Sequence, residues 1–363
     1  MPAADITLEQ LETDPHPVLA QLRPLAWVPV LNGWLVTGRD LALQVMRDAE
    51  TFSVDDPRFS TGRVVGPSML SRDGDEHTRH RDPFADPLRL AAVRDRFTPV
   101  VETEVDSLID EFAADRRAEL RRRLAGPLSA RVVARLLGLE TTDTDAMLGW
   151  YDAIVESVTG VSAGRPPTDA GRVAFETLRD AVEPALESSS ELTRAEVVSN
   201  AAVLMFGGIE TTEGMITNLM FHLLTSVDGP VDPSVLPNAV EESLRLEPAA
   251  AVIDRYATRD VELAGAEIGK GDLVEISLAG ANRDPEFFPD PDRFDVHCDN
   301  ARRHVAFAHG PHVCIGMHLA RLEALTAARR LFERLPGLRL DPDRPTAPRG
   351  LVFRKPPRLD VLW

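Results

Sequence analysis

Phe307-Ala308-His309-Gly310-Pro311-His312-Val313-Cys314-Ile315-Gly316-Met317-His318-Leu319-Ala320-Arg321 is the stretch on which the reading of this chain turns. Gly310 and Gly316 permit φ > 0 or the close approach of backbone N–H groups. Pro311 stiffens the loop between them. Beyond Gly316 the pattern turns helical, with Leu319, Leu322, Leu325 and Ala328 on one face and Arg321, Glu323, Arg329 and Arg330 charged. The spacing predicts a tight loop that delivers Cys314 to the first turn of a helix. N–H groups and the positive end of a helix dipole there favour a thiolate, a ligand for a soft or borderline metal. A lone cysteine is commonly a buried apolar filler instead, so the rest of the chain has to decide.

The chain has 363 residues, a length open to one large domain or two. Its hydrophobic fraction of 44% is that of a globular protein. A net charge of −18 argues against nucleic acid as a partner. Two cysteines, Cys298 and Cys314, make no disulfide framework and point to a reducing cytoplasm. The first residues show no signal-peptide pattern, and no apolar run is long enough for a membrane span.

Read in order, Leu25 to Thr37 predicts a hairpin about Asn32-Gly33, and Asp40 to Arg47 a helix. Phe52 to Asp75 reads as a long irregular loop. His77 and Arg81 share a helix face, and Pro83 is expected to shorten or kink that helix. Val100 to Leu139 gives two or three helices, the last stopped by Gly138. Thr141 to Leu186 gives two more about Gly164-Arg165-Pro166-Pro167. Thr193-Arg194-Ala195-Glu196 is a capping box. It opens a helix to about Leu224, roughly 45 Å long, apolar on all sides and therefore buried; Asn200, Glu210 and Asn218 exclude a membrane span. Gly207-Gly208-Ile209-Glu210-Thr211-Thr212 lies at its centre. Each glycine there costs about 1 kcal/mol against alanine, and a buried glutamate costs more unless satisfied. Either close helix packing or function accounts for that penalty. Glu242 and Arg245 lie three apart on another helix. Ile253 to Ile276 predicts short strands, with Arg255 at the start of the first.

The pattern F-x-x-G-x-x-x-C-x-G-x-x-L-A-R resembles the haem-binding signature of the cytochromes P450, the haem-thiolate monooxygenases. One position departs: Ala308 stands where the family usually has a second glycine. H-x-x-x-R at His77 and Arg81, G-G-x-[DE]-T at Gly207 to Thr211, E-x-x-R at Glu242 and Arg245, and Phe288 to Phe294 with Arg293 follow the family's order. The resemblance covers nearly the whole chain. It implies one domain over residues 1–363, mainly α with small β-sheets at roughly 25–37 and 253–278, and a long central helix over haem b.

In that resemblance Cys314 ligates the iron as a thiolate, with Phe307 and Gly316 beside the cofactor. His77, Arg81, Arg255 and His312 hold its carboxylates. N–H groups about Ile315 and Gly316 bond the sulfur. Glu210 and Thr211 guide protons to O2 where the central helix distorts, and Glu242, Arg245 and Arg293 form a structural triad. The helix pair about Gly164 to Pro167 roofs the pocket. Val203, Phe206, Thr212, Ala251, Ile253 and Leu351 are the pocket candidates, for a hydrophobic small molecule. Natural-product tailoring and catabolism both fit.

The chain has no G-x-G-x-x-G after a strand and no iron–sulfur cysteine set. Electrons are therefore expected from a separate ferredoxin and ferredoxin reductase. Arg302, Arg303, Arg321, Arg329 and Arg330 would form the dock, unless they are a scatter of solvated arginines. A haem-binding sensor or carrier, or a peroxide-driven haem-thiolate enzyme, is the nearest alternative, and Glu210-Thr211 argues against both. A zinc site or cysteine hydrolase built from His309, His312, Cys314 and His318 lacks a usual zinc spacing. A purely helical interaction protein leaves every motif unexplained.

Overall fold

The computed structural model describes residues 3–139, 142–162, 165–182, 191–227 and 229–363. The capping box forms as read. The Thr193 hydroxyl accepts from the Glu196 N–H, and the Glu196 carboxylate accepts from the Thr193 N–H at 2.8 Å. It opens a 33-residue central helix, Arg194–Ser226, about 50 Å long at 1.5 Å per residue. Val198, Ala202, Met205, Ile209, Met220 and Leu223 are buried around its circumference. All but Val198 share one core with the helices Thr98–Asp110, Gly126–Leu137, Thr144–Ser162, Asp169–Val182, Leu236–Leu246 and Met317–Arg334.

Gly208 shows close packing: a Cβ there would lie 2.6 Å from Val133 Cγ2. Gly207 differs, because a Cβ would meet nothing within 4 Å. The expected distortion of the central helix is not a break. The helix is continuous from Arg194 to Ser226, and the Thr211 hydroxyl donates to the Gly207 carbonyl at 2.5 Å. That back-bond gives the hydroxyl an acceptor without opening the helical turn.

A five-stranded sheet flanks this core. The hairpin Leu25–Val28 and Gly33–Val36 pairs antiparallel, with Val28 opposite Gly33. Its loop is therefore Pro29 to Asn32, longer than a two-residue Asn-Gly turn, and Asn32 takes φ 49°. Leu273–Ser277 runs parallel to the second hairpin strand, Val252–Ala257 pairs antiparallel beyond it, and Phe52–Ser53 closes the edge. Arg255 is the fourth residue of its strand, not the first. The stretch 52–75 carries that edge strand and a helix, Ser60–Val65, where an irregular loop was expected.

Pro83 does not cut short the helix Gly74–Ala85. It lies in the last turn, where the missing N–H removes one hydrogen bond and only two residues of helix remain beyond it. His77 and Arg81 thus stay on one helical face. The sequence readings at 163–164 and 183–190 lie outside the described residues. No helix among the described residues is long and apolar enough to cross a membrane.

Candidate functional site

The cysteine loop is folded by its own backbone. The Cys314 N–H donates to the Phe307 carbonyl at 2.8 Å, and the Val313 N–H to the Gly310 carbonyl at 3.1 Å. Gly310 takes φ +75°, and a Cβ there would lie 2.5 Å from the Met46 carbonyl oxygen, so glycine lets the loop sit on the helix Arg39–Arg47. Ala308 takes φ 58°, in the left-handed region. A methyl in that region costs about 1–2 kcal/mol, offset here by packing against the core beneath the sheet.

Cys314 stands three residues before the helix Met317–Arg334, whose N-cap is Gly316. It is therefore outside the first turn. Burial pushes its thiol up, against the Gly316 N–H and the charges of Arg81 and Arg321. Within the loop itself, burial opposes the sulfur anion while those donors favour it. A bound cation would reverse that balance.

Around this loop the expected donors converge. The Arg81 guanidinium donates to the Val313 carbonyl at 2.8 Å. The His77 and His312 rings lie 4.3 Å apart. His77 Nε2 is buried without a hydrogen-bond partner, and burial, then the neighbouring His312 and Arg81, hold its pKa down to about 4. Arg255 is buried, and its guanidinium donates to the Asp254 carbonyl at 2.7 Å. Among the described residues neither Arg81 nor Arg255 has a carboxylate within ion-pair distance. A buried cation without an anion is costly, so this pair fits an anionic ligand. His312 differs, because its Nε2 is 2.7 Å from Asp73 Oδ1. Burial would raise the Asp73 carboxyl, but bonds from His312, Ser53 and the Val54 N–H hold it down at about 2. Asp73 was not singled out from the sequence.

Glu210 and Thr211, adjacent in the chain, diverge by the helical 100°. Thr211 is half-buried, beside Gly207 and its open space. Glu210 is buried, 2.8 Å from Lys355 Nζ. The pocket candidates separate too. Val203 belongs to the helical core, Phe206 packs edge-on against Phe353 at 5.4 Å, and Thr212 is buried. Ile253 packs on the core beneath the sheet. Ala251 and Leu351 line a cavity against the N-terminal helices with Leu11 and Leu19.

The E-x-x-R pair is fully buried. Arg245 donates twice to Glu242, at 2.7 Å each, and to the carbonyls of Asn282, Pro291 and Arg293. Arg293 joins through that carbonyl, not its side chain, which is exposed. The irregular stretch 282–300, a meander, turns its backbone inward there, and the Asp295 N–H also donates to Glu242 at 3.0 Å.

A second tether, Glu241, ties this helix to the cysteine-loop helix. It accepts from Arg321 at 2.8 and 3.0 Å and from His304 Nε2 at 3.1 Å. His304 Nδ1 accepts the Ala306 N–H, which fixes the donor on Nε2. Burial would raise the Glu241 carboxyl, but His304 and Arg321 overcome it and hold it at about 2. The folded value lies below the unfolded one. The stability it contributes is therefore complete above the unfolded pKa of about 4.3 and lost as pH falls from there through 2, on the order of 3 kcal/mol. Urea midpoints measured from pH 5 to pH 2 should fall more steeply in the wild type than in Glu241→Gln.

Two arginines of the expected dock are consumed internally. Arg321 binds Glu241 and stacks over Phe307 at 4.5 Å, and Arg330 pairs with Asp106 and Glu333. Arg302, Arg303 and Arg329 are exposed. The zinc reading finds no support. Among the described residues, the side chains close enough to share a metal are Glu76, His80 and Glu196, none of them in the cysteine loop, and Arg79 bridges both of those carboxylates.

The sequence profile described as Cytochrome P450 matches residues 234–361. The chain is 36% identical over 384 aligned positions to Cytochrome P450 monooxygenase PikC of Streptomyces venezuelae, covering 98% of this chain and 91% of that protein. It is 33% identical to the 20-oxo-5-O-mycaminosyltylactone 23-monooxygenase of Streptomyces fradiae, over 87% of this chain and 80% of that one. The solved structure of cytochrome P450 CYP109Q5 from Chondromyces apiculatus superposes with a TM-score of 0.87 at 26% identity, covering 99% and 98% of the two chains.

Proposed function

The chain belongs to the cytochrome P450 family, and from that premise we propose that Cys314, His77, Arg81, Arg255 and His312 hold the cofactor while Glu210 and Thr211 serve proton delivery in oxidation of a hydrophobic small molecule. The protein is a monooxygenase with haem b as its cofactor, bound through a cysteine thiolate. When bound, haem supplies O2 binding and O–O cleavage, with the thiolate pushing electron density toward the cleavage.

The residues present fit that group. Gly207 and Gly316 both face open space, where a Cβ would meet nothing within 4 Å, as a cradle for a planar ring requires. Cys314 is half-buried on the same loop as Gly316. The buried Arg255 and the half-buried Arg81, neither with a carboxylate at ion-pair distance among the described residues, suit two carboxylates, and His77 Nε2, unpartnered among the described residues, adds a donor. This gathering of cationic and hydrogen-bonding groups about the cysteine loop is the observation that carries the reading.

Thr211 would hold a hydrogen bond to the oxygen side of the pocket by releasing the Gly207 carbonyl. Glu210 would pass protons toward that side. Val203, Phe206, Thr212, Ala251, Ile253 and Leu351 are the proposed apolar contacts for substrate. Electrons would come from a ferredoxin and its reductase, docking at the exposed Arg302, Arg303 and Arg329 on an otherwise acidic protein. The proposed location is the cytoplasm.

Reconstitution with ferredoxin, reductase, NADH and 18O2 tests the reaction, since one labelled oxygen should appear in the product. Thr211→Ala should keep cofactor binding and divert electrons from product to hydrogen peroxide, with product per NADH falling about tenfold or more, the scale of a lost proton-transfer group. Unchanged coupling would remove Thr211 from the route. Efficient turnover on peroxide alone, with no NADH requirement, would favour the peroxide-driven alternative.

A further inference from the structure

The buried Glu210 carboxylate is held by a lysine from a distant part of the chain. Lys355 lies in a tight C-terminal turn, where its N–H donates to the Arg349 carbonyl at 3.2 Å and the Arg349 N–H to its own carbonyl at 3.0 Å. Gly350 makes the turn possible, at φ +121° and with a would-be Cβ 1.9 Å from the Phe353 oxygen. The Ala251 N–H fastens the turn to the sheet through the Val352 carbonyl at 2.8 Å.

From this fixed base the Lys355 stem crosses the central helix at Gly214. A Cβ there would lie 3.6 Å from Lys355 Cδ and 2.9 Å from Ala249 Cβ. The ammonium ends between two carboxylates one helical turn apart, 2.8 Å from Glu210 Oε1 and 3.0 Å from Glu213 Oε2. The other oxygen of Glu213 is bonded by Arg121. Arg121 opens a π-helical turn, Arg121–Ala125, and also donates to the Pro357 carbonyl at 2.9 Å. Glu213 therefore has two cations, whereas Glu210 has Lys355 as its cation among the described residues.

Lys355 is one of only two lysines in a chain with 40 lysines and arginines. A compact ammonium can divide its donors between two carboxylates, where a planar guanidinium fork commits to one. We propose that Lys355 is the positioning residue that pairs with the Glu210 carboxylate and fixes where it points from the central helix, while Glu213 and Arg121 anchor the ammonium. This rests on the assignment of Glu210 and Thr211 to proton delivery. Without the ammonium, Glu210 would face the anion of Glu213 in a buried site and take up a proton itself. It would then be unable to accept one for the oxygen site. O2, two electrons and two protons would leave as hydrogen peroxide in place of product and water.

Infrared difference spectroscopy reads the carboxyl directly. Wild type minus Glu210→Gln should show a carboxylate stretch for Glu210 at neutral pH and no protonated-carboxyl C=O band. A protonated band in the wild type would overturn the proposal whether or not any lysine variant folds. Lys355→Met should gain a protonated band that Lys355→Met/Glu210→Gln lacks, and Lys355→Arg should not. A band removed by Glu213→Gln instead would place the effect on the wrong carboxyl and refute it. In the haem-loaded protein Lys355→Met should lose product per NADH about tenfold, short of the larger factors for complete loss of an acid–base group, with an unchanged reduced carbon-monoxide spectrum. Coupling impaired in Thr211→Ala but intact in Lys355→Met would sink this assignment alone. Coupling intact in both would sink the proton route itself.

Discussion

Cys314→Ala is expected to abolish the far red-shifted Soret band of the reduced, carbon-monoxide-treated protein and to take monooxygenation below detection. Cys314 is one of two cysteines, and the other, Cys298, donates its thiol to Asn300 at 3.2 Å on the meander. Only Cys314 has the Gly316 N–H and the charges of Arg81 and Arg321 acting on its sulfur. The spectrum of the bound haem depends on a thiolate ligand, and Cys314 is the sulfur placed to supply it. Cys314→His should still take up the cofactor, because the donors at His77, Arg81 and Arg255 are untouched, but its Soret band should return to the position of nitrogen-ligated haem. Cys298→Ala should keep the wild-type band. Persistence of the band in Cys314→Ala would refute the ligand assignment, and a colourless wild-type protein carrying stoichiometric zinc would restore the rival metal reading.

Local signals in the sequence proved legible wherever the decisive contact was local. The Thr193 capping box, the glycine stop at Gly138 with φ 72°, and the hairpin all lie within a few residues of the groups that satisfy them. The proposed cofactor donors were read from motifs, and the structure places His77, Arg81 and His312 about the cysteine loop. What stayed hidden depends on long-range pairing. Lys355 is 145 residues from Glu210 in the chain, and nothing in its neighbours Arg354 and Pro356 announces a buried cation. Asp73 reads as an ordinary helix-start residue until His312 is brought to it. The pull of burial on Cys314 stayed hidden for the complementary reason: sequence shows donors, whereas desolvation is a property of the packed site.

Glu242→Ala is expected to cost about 3–5 kcal/mol, the scale of breaking a buried pair by removing one partner. Arg245 and Glu242 are 1% and 0% exposed, so neither charge can turn to water. Removing the carboxylate strands a guanidinium that retains three backbone carbonyls but no anion, and it frees the Asp295 N–H as well. Those carbonyls belong to the meander that leads to the cysteine loop, so haem retention should fall together with the denaturation midpoint. Glu242→Gln keeps the shape and one acceptor and should cost less. Arg293 supplies the contrast. Its motif position predicts a triad member, yet its side chain is exposed and only its carbonyl binds Arg245. Arg293→Ala should therefore stay within about 0.5 kcal/mol of wild type, as surface substitutions do. Urea unfolding with haem absorbance followed in parallel decides between the two views. Equal losses for Glu242→Ala and Arg293→Ala would reinstate the side-chain triad, and a loss confined to Glu242 would fix the meander's support on a single buried ion pair and its backbone acceptors.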